Sequence, residues 1–138
     1  MLFRSSLRAV IGVGEVLELQ AAVAEIYIDE LIQQWVIDLV RATRSLDVVA
    51  IGSSVRGSLA LERAARAWAL LSGRDFVVPG DVERLFIPVL GHRITFSPGF
   101  LAQARRSGWA AAMADFERAC LECAPRPELR HDEVHVAA

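Results

Sequence analysis

Residues 29–44, with the sequence DELIQQWVIDLVRATR, contain the clearest amphipathic pattern in the chain. Their apolar side chains recur at steps of three and four residues, which is the spacing of one face of an α-helix. Asp29 is a suitable N-cap for this helix because its carboxylate can accept a hydrogen bond from a free backbone N–H of the first turn. The segment therefore predicts a helix with one buried face, which consists of Ile32, Trp35, Val36, Leu39, Val40 and Thr43.

Two more helices are predicted on either side of this segment. Residues 16–26 have apolar side chains at helical spacing and predict an amphipathic helix of about three turns. Residues 55–72 predict a third helix, with Gly73 in the position after its end. Residues 48–54 lie between the second and third helices and predict a loop with a β-prone start.

The second half of the chain predicts two further helices. Pro79 suits the first turn of a fourth helix, because its missing N–H has no partner there and its φ angle is already helical. Residues 97–99, with the sequence SPG, would separate this helix from one long last helix. We expect the apolar face of the last helix to contain Trp109, Met113, Phe116, Cys120 and Cys123, and all three tryptophans (Trp35, Trp68 and Trp109) to occupy core positions.

One short stretch in the second half is typical of a strand. Residues 76–78, with the sequence FVV, could pair with the β-prone residues 26–28, with the sequence IYI. The remaining regular segments are all predicted to be helical. We therefore predict an all-α fold, a helical bundle of about five helices with at most a short two-stranded β element.

The composition excludes several functions. All 15 basic residues of this 138-residue chain are arginine. Without lysine the chain can hold neither a phosphate-binding GxxxxGK[ST] loop nor a lysine nucleophile. The net charge of −2 gives no general attraction to nucleic acid or to anionic membranes. The hydrophobic fraction of 54% is high, but no uninterrupted apolar run approaches the ~20 residues that span a bilayer.

The start of the third helix, residues 51–58 with the sequence IGSSVRGS, is the most informative candidate site. Ser53 or Ser54 could cap this helix. Arg56 would then lie in the first turn, where the helix dipole disfavours a cation, and Gly57 would weaken the helix further. A bound anion would explain this arrangement, because arginine and a helix N-terminus both bind phosphate oxygens. The alternative is a solvated or ion-paired arginine beside an ordinary cap.

Six short motifs follow one another in a recognisable order. They are DLVRATR (38–44), IGSSVR (51–56), AARAWAL (64–70), GRDFV (73–77), PGDV (79–82) and VLGHR (89–93). In this order and spacing they resemble the C-terminal lid of MoxR-type AAA+ ATPases. The resemblance covers roughly residues 16–94 and, more loosely, the last helix. The sequence departs from the family at Val55, which is usually proline, and at Val78, which is usually a helix-capping Thr or Ser.

The resemblance implies a role for the segment at the start of the third helix. Arg56 matches the sensor 2 arginine, which would reach the β- and γ-phosphates of ATP bound with magnesium by a separate α/β subdomain. Gly52, Ser53 and Ser54 would form the adjoining part of the nucleotide site. The chain contains no phosphate-binding loop, Walker B pair, sensor 1 asparagine or upstream arginine finger. We therefore expect it to be the lid alone, without ATPase activity of its own.

The same resemblance implies a domain organisation and a set of partners. Residues 1–15 would connect the missing α/β subdomain to the lid, residues 16–124 would form the helical lid, and residues 125–138 would be a flexible tail. The whole protein would be a cytoplasmic, hexameric, chaperone-like ATPase whose ring motion follows the nucleotide state, often acting with von Willebrand A-type proteins. We expect no nucleic acid partner and no membrane span. The alternative is a stand-alone helical protein-interaction module without nucleotide binding.

Two further sets of side chains receive a structural interpretation. Cys120, Cys123, His131 and His135 could suggest a zinc site, but the seven residues between the second cysteine and the first histidine are fewer than in zinc fingers. Both cysteines also continue a predicted apolar face, so we assign no metal site. We expect Arg44 and Arg93 to pair with acidic residues or to cap helix C-termini.

Overall fold

The computed structural model describes residues 8–128. These residues form six helices and a two-stranded antiparallel sheet, so the predicted helical bundle with a short β element is confirmed. The elements are α1 (Val13–Glu25), α2 (Glu30–Ser45), β1 (Val49–Ile51), α3 (Val55–Leu71), α4 (Pro79–Leu90), a 3-10 turn (Gly91–Arg93), β2 (Thr95–Phe96), α5 (Pro98–Ser107) and α6 (Trp109–Cys123).

Helix α2 packs one face against α3 and α6. Its N-cap is the predicted one, since Asp29 Oδ1 accepts a hydrogen bond from the N–H of Leu31 at 2.7 Å. The indole N–H of Trp35 donates to the carbonyl oxygen of Ala124 at 2.8 Å and ties α2 to the end of α6. All six side chains predicted for the apolar face of α2 are buried.

The sheet does not consist of the two segments that the sequence suggested. Strand β1 pairs with β2, and the paired residues are Val49 with Phe96 and Ile51 with Thr95. Residues 26–28 and 76–78 do meet, but only in one isolated parallel bridge between Tyr27 and Phe76. The strand assignment for residues 76–78 was therefore wrong, because this contact involves too few residues to form a ladder.

The predicted long last helix is two helices, α5 and α6, separated at Gly108. This glycine has a φ angle of +91°, which a residue with a side chain rarely adopts. Helix α5 begins after Ser97, whose hydroxyl accepts a hydrogen bond from the N–H of Phe100 at 3.3 Å. The direction change places Trp109 at the bundle edge, where its side chain is 53% exposed instead of buried as predicted. Its ring still contacts Phe96 edge-to-face, with ring centroids 6.0 Å apart.

Helix α1 starts at Val13, three residues before the predicted start, and none of its residues is buried. The predicted helix is present, but Val16 and Leu19 on it are exposed, because α1 packs chiefly against one neighbour, α3. Arg66 on α3 donates hydrogen bonds to the carbonyl oxygens of Ala24 and Ile26 and so holds the end of this helix. No helix within residues 8–128 has both the length and the apolar character needed to cross a membrane.

Candidate functional site

The start of α3 has an unusual N-terminus. Ser54 occupies the N-cap position, as predicted, but its side chain accepts no capping hydrogen bond. The buried Ser53 hydroxyl does not cap the helix either and has no hydrogen-bond partner. The first turn of α3 also contains no acidic residue. The prediction of a serine side-chain cap was therefore wrong, and the positive end of α3 is not neutralised by these serine side chains or by a first-turn carboxylate.

Arg56 lies in this first turn, as the sequence predicted, and its side chain is exposed. Within residues 8–128 its guanidinium takes part in no ion pair and in no side-chain hydrogen bond. The described part of the chain therefore gives no support to an ion-paired arginine, whereas the exposed side chain fits the solvated arginine of the same alternative. The arrangement leaves a planar donor group and a helix N-terminus available to an anion.

The loop before α3 is held by two residues at the end of α2. The hydroxyl oxygen of Thr43 accepts a hydrogen bond from the N–H of Ser53 at 3.0 Å and donates its own proton to the carbonyl oxygen of Val40 at 2.7 Å. Arg44 Nε donates to the carbonyl oxygen of Ser53 at 2.8 Å. Arg44 therefore holds a loop carbonyl. The expected pairing with an acidic residue is absent within residues 8–128.

Two glycines let this loop lie close to its neighbours. A Cβ on Gly52 would lie 2.5 Å from Arg44 Cγ, and a Cβ on Gly57 would lie 2.0 Å from Ser53 Oγ. Neither distance is possible for a real side chain, so both positions require glycine for this packing. Gly57 thus has a packing function that accounts for its presence in a helix, where glycine is otherwise unfavourable.

An open groove of about 490 Å³ lies between α2 and α3, beside this site. Apolar side chains of Ile37, Val55 and Leu59 line it, and all three are substantially exposed. Arg44 and Glu62 contribute charged groups to the same groove. The groove therefore combines apolar contact area with polar groups next to the start of α3.

A second arginine cluster has a structural function. Arg74 binds Asp81 through two hydrogen bonds, Nη1 to Oδ2 at 2.8 Å and Nη2 to Oδ1 at 2.7 Å. These bonds raise the pKa of Arg74. Asp81 Oδ2 also accepts a hydrogen bond from the N–H of Val78 at 2.9 Å. Asp81 therefore accepts the hydrogen bond of the N-cap N–H, whereas the side chain of Val78, in place of the family's usual Thr or Ser, has no oxygen to accept one from the first turn.

The two cysteines lie in different environments on α6. Cys120 is fully buried, and burial, together with the charges of Cys123 and Glu117, raises the pKa of its thiol to about 12. Cys123 is exposed and not on the buried face, contrary to the prediction. His131 and His135 lie outside the described residues. Within residues 8–128, no three His, Cys, Asp or Glu side chains are grouped so that they could hold a metal ion.

The fold agrees with the comparisons to known proteins. The sequence profile of the AAA lid domain matches residues 41–114, more than half of the chain. The chain therefore belongs to the AAA lid domain family. It is 38% identical over 93 residues to the Bacillus subtilis protein YeaC, covering 67% of this chain and 29% of YeaC.

Two other similarities are consistent with this assignment. The chain is 34% identical over 104 residues to the chaperone MoxR1 of Mycobacterium tuberculosis, covering 69% of this chain and 28% of MoxR1. A crystal structure of a protein from Cytophaga hutchinsonii, classed as an ATPase, has the same fold with a TM-score of 0.69 and 24% identity, over 83% of this chain and 36% of that one. The similarity to MoxR-type lids is thus confirmed, and the chain spans less than a third of the two curated relatives described here.

Proposed function

We propose that this chain is the lid subdomain of a MoxR-like AAA+ ATPase and that Arg56 makes the sensor 2 contact to ATP. The observation that carries the proposal is the exposed Arg56 in the first turn of α3, a turn without acidic residues or a side-chain cap. The nucleotide would be bound mainly by a separate α/β subdomain. The described helices would then act as the movable second half of the nucleotide site.

The residues present suit a phosphate group. A guanidinium binds phosphate oxygens through two parallel hydrogen bonds, and a helix N-terminus adds backbone N–H donors. Among the residues assigned to the site, Gly52 and Ser53 would act by positioning the backbone, since the Ser53 side chain is buried. Ser54 is exposed at the N-cap and would lie next to the phosphates. Magnesium would be held by the α/β subdomain together with ATP, which supplies the phosphoryl group for transfer.

This geometry offers a way for nucleotide state to move the lid. Charged hydrogen bonds of the kind Arg56 would form contribute about 1.5–3 kcal/mol each, which is enough to shift the balance between two domain orientations. Helix α3 packs against α2 and α4, so a displacement at its start would be transmitted to the bundle. Loss of the terminal phosphate contact would therefore favour a different lid orientation.

The proposal extends to the whole protein. Residues 16–124 would form the lid, residues 1–15 would connect it to the α/β subdomain, and residues 125–138 would be a tail. The assembled ATPase would be a cytoplasmic hexameric ring with chaperone-like activity, acting with von Willebrand A-type partners. The weakly negative net charge of −2 gives this part of the protein no general attraction to nucleic acid.

The test requires this chain joined to its α/β ATPase subdomain. Arg56→Ala should weaken ATP binding by about tenfold or more and slow turnover, because a charged hydrogen bond is lost. Arg63→Ala is the matched control, since Arg63 is an exposed arginine two turns further along α3. Equal ATP affinity and turnover in the Arg56→Ala variant and the unmodified protein would overturn the sensor assignment. The chain without the α/β subdomain should not hydrolyse ATP.

A second candidate function is a helical protein-interaction module without nucleotide. The exposed apolar side chains on α1, such as Val13 and Leu17, and the groove residues Val55 and Leu59 favour it. A GxxxxGK[ST] loop encoded directly upstream would support the ATPase lid, and its absence would support the module.

If the apolar surface is normally covered by an α/β subdomain, the isolated chain should self-associate. A strictly monomeric species at high concentration would argue against such a covered surface.

A further inference from the structure

We propose that Thr43 and Arg44 are positioning residues that fix the direction in which Arg56 points. This inference rests on the proposed function, since it concerns the same nucleotide contact. Neither residue is assigned to touch ATP. Their action would be exerted through the backbone of Ser53, three residues before Arg56.

The first step is the fixed position of Ser53. Both backbone polar groups of this residue are bound from the last turns of α2, the N–H by the Thr43 hydroxyl at 3.0 Å and the carbonyl by Arg44 Nε at 2.8 Å. Thr43 is fully buried and cannot offer its hydroxyl to water instead. Its proton is already donated to the carbonyl of Val40, so its oxygen is oriented to accept the Ser53 N–H. Two adjacent residues thus determine both the place and the orientation of one peptide segment.

The second step is the link from Ser53 to α3. The Ser53 side chain is fully buried under the first turn of the helix, in the space left by the absent side chain of Gly57. The N–H of Gly57 donates to the carbonyl of Ser54 at 2.7 Å, which tightens the same turn. A shift of Ser53 would therefore shift the N-cap and the turn that contains Arg56. The end of α2 and the direction of Arg56 are coupled through this contact.

The exposure of Arg44 makes it possible to distinguish a positioning role from a purely stabilising one. Arg44 is exposed, and within residues 8–128 it forms no ion pair, so its described hydrogen bond is the one to the Ser53 carbonyl. Loss of this one hydrogen bond should lower the free energy of unfolding by only about 1 kcal/mol. A large effect of Arg44 on ATP binding, with normal stability, would therefore indicate positioning.

The experiment compares ATP affinity and thermal unfolding in this chain joined to its α/β subdomain. Thr43→Val keeps the shape but removes the acceptor for the Ser53 N–H, and Arg44→Met keeps most of the stem but removes the donor. Each should weaken ATP binding by about three- to tenfold, the effect of one hydrogen bond. Thr43→Ser should retain full affinity. Arg41→Met is the charge control on α2, because Arg41 is exposed and pairs only with Asp38 among the described residues.

A double-mutant comparison decides between the possible outcomes. In the Arg56→Ala background, Arg44→Met should cause no further loss of affinity, since the group it positions is gone. If Arg56→Ala weakens binding while Thr43→Val and Arg44→Met change only stability, this inference is overturned and the sensor role of Arg56 stands. If Arg56→Ala has no effect, the proposed function itself fails. Should Thr43→Val not fold, Arg44→Met decides alone.

Discussion

Arg44 Nε lies 2.8 Å from the carbonyl oxygen of Ser53 and joins the end of α2 to the residue before the N-cap of α3. Thr43, the residue before Arg44, binds the N–H of the same serine. Thr43 and Arg44 therefore act together to hold the loop that precedes α3. Arg56, whose guanidinium forms no ion pair or side-chain hydrogen bond within residues 8–128, is therefore attached to a backbone segment that these two bonds hold in place.

The close contact between Ser53 and Gly57 can be tested by Gly57→Ala. An alanine normally stabilises a helix interior by about 1 kcal/mol relative to glycine. Here the new Cβ would lie 2.0 Å from Ser53 Oγ and 3.0 Å from Leu90 Cδ2, so we expect a loss of about 1–3 kcal/mol in the free energy of unfolding. Denaturant unfolding followed by circular dichroism measures this loss.

Two variants serve as controls for Gly57→Ala. A Cβ on Gly80, in the first turn of α4, would meet nothing within 4 Å, so Gly80→Ala should be neutral or slightly stabilising. Ser53→Ala removes a buried hydroxyl without a partner and should restore part of the stability lost in Gly57→Ala. Equal stability of Gly57→Ala and Gly80→Ala would show that the two segments do not pack this closely.

The Arg74–Asp81 pair should contribute more to stability than the exposed ion pairs. Asp81→Ala removes two hydrogen bonds to Arg74 and leaves the N–H of Val78 without its acceptor. We expect a loss of about 2–3 kcal/mol in the free energy of unfolding. Glu83→Gln is the comparison, since its 3.7 Å pair with Arg126 is largely exposed and should contribute less than about 1 kcal/mol. Similar losses in both variants would contradict this ranking.

The fold was predictable wherever one helix buries one regular face. The pattern of α2 specified its N-cap and six of its seven buried residues, because one face of this helix packs against α3 and α6. The same spacing on α1 does not correspond to a buried face, since none of its residues is buried. Periodicity indicates which side chains share a face but not how many neighbours the helix has. The break at Gly108 was missed although this glycine is itself a local turn signal, and strand β2 was missed because two residues are too few to show an alternating pattern.

The candidate site was predictable in part. The position of Arg56 in a first turn follows from the small residues before it, which mark the start of a helix. The hydrogen bond from Ser53 to Thr43 joins residues ten positions apart, and it exists only because β1 turns the chain back onto α2. No local pattern encodes that return. The sequence signal that could have indicated it was the buried Thr43, a polar residue on an otherwise apolar face that needed a partner.

Glu117 provides a test of local electrostatics. Partial burial raises its pKa, and the negative charge of Glu83 raises it further. A carboxyl whose pKa is higher in the folded state than in the unfolded state costs stability when ionised, and that cost disappears as pH falls and the group is protonated. Glu117→Gln should therefore stabilise the fold at pH 7, by less than about 1 kcal/mol. This gain in the free energy of unfolding should vanish at pH values below the ordinary pKa of glutamate. Glu122→Gln, on the exposed face of α6, should show no such gain.

The two cysteines should differ sharply in reactivity. Cys120 is buried and its thiol pKa is raised to about 12, whereas Cys123 is exposed. Because the thiolate is the reactive form, a thiol reagent at pH 8 should modify one cysteine in the folded chain and both in denaturant. Cys123→Ser should leave the folded chain unmodified. Rapid labelling of Cys120 in that variant under native conditions would contradict the burial of this residue.

The raised pKa of Cys120 also predicts a loss of stability in alkali. Below about pH 9, the ordinary thiol value, the group is protonated in both states and contributes no pH dependence. Between pH 9 and about 12 the unfolded chain loses this proton while the folded chain keeps it, so the free energy of unfolding falls as pH rises. The chain has no lysine and a single tyrosine, which leaves few other side chains to titrate in this range. Cys120→Ala should therefore reduce the fall in the free energy of unfolding between pH 9 and about 12. An unchanged fall in that variant would show that another group causes it.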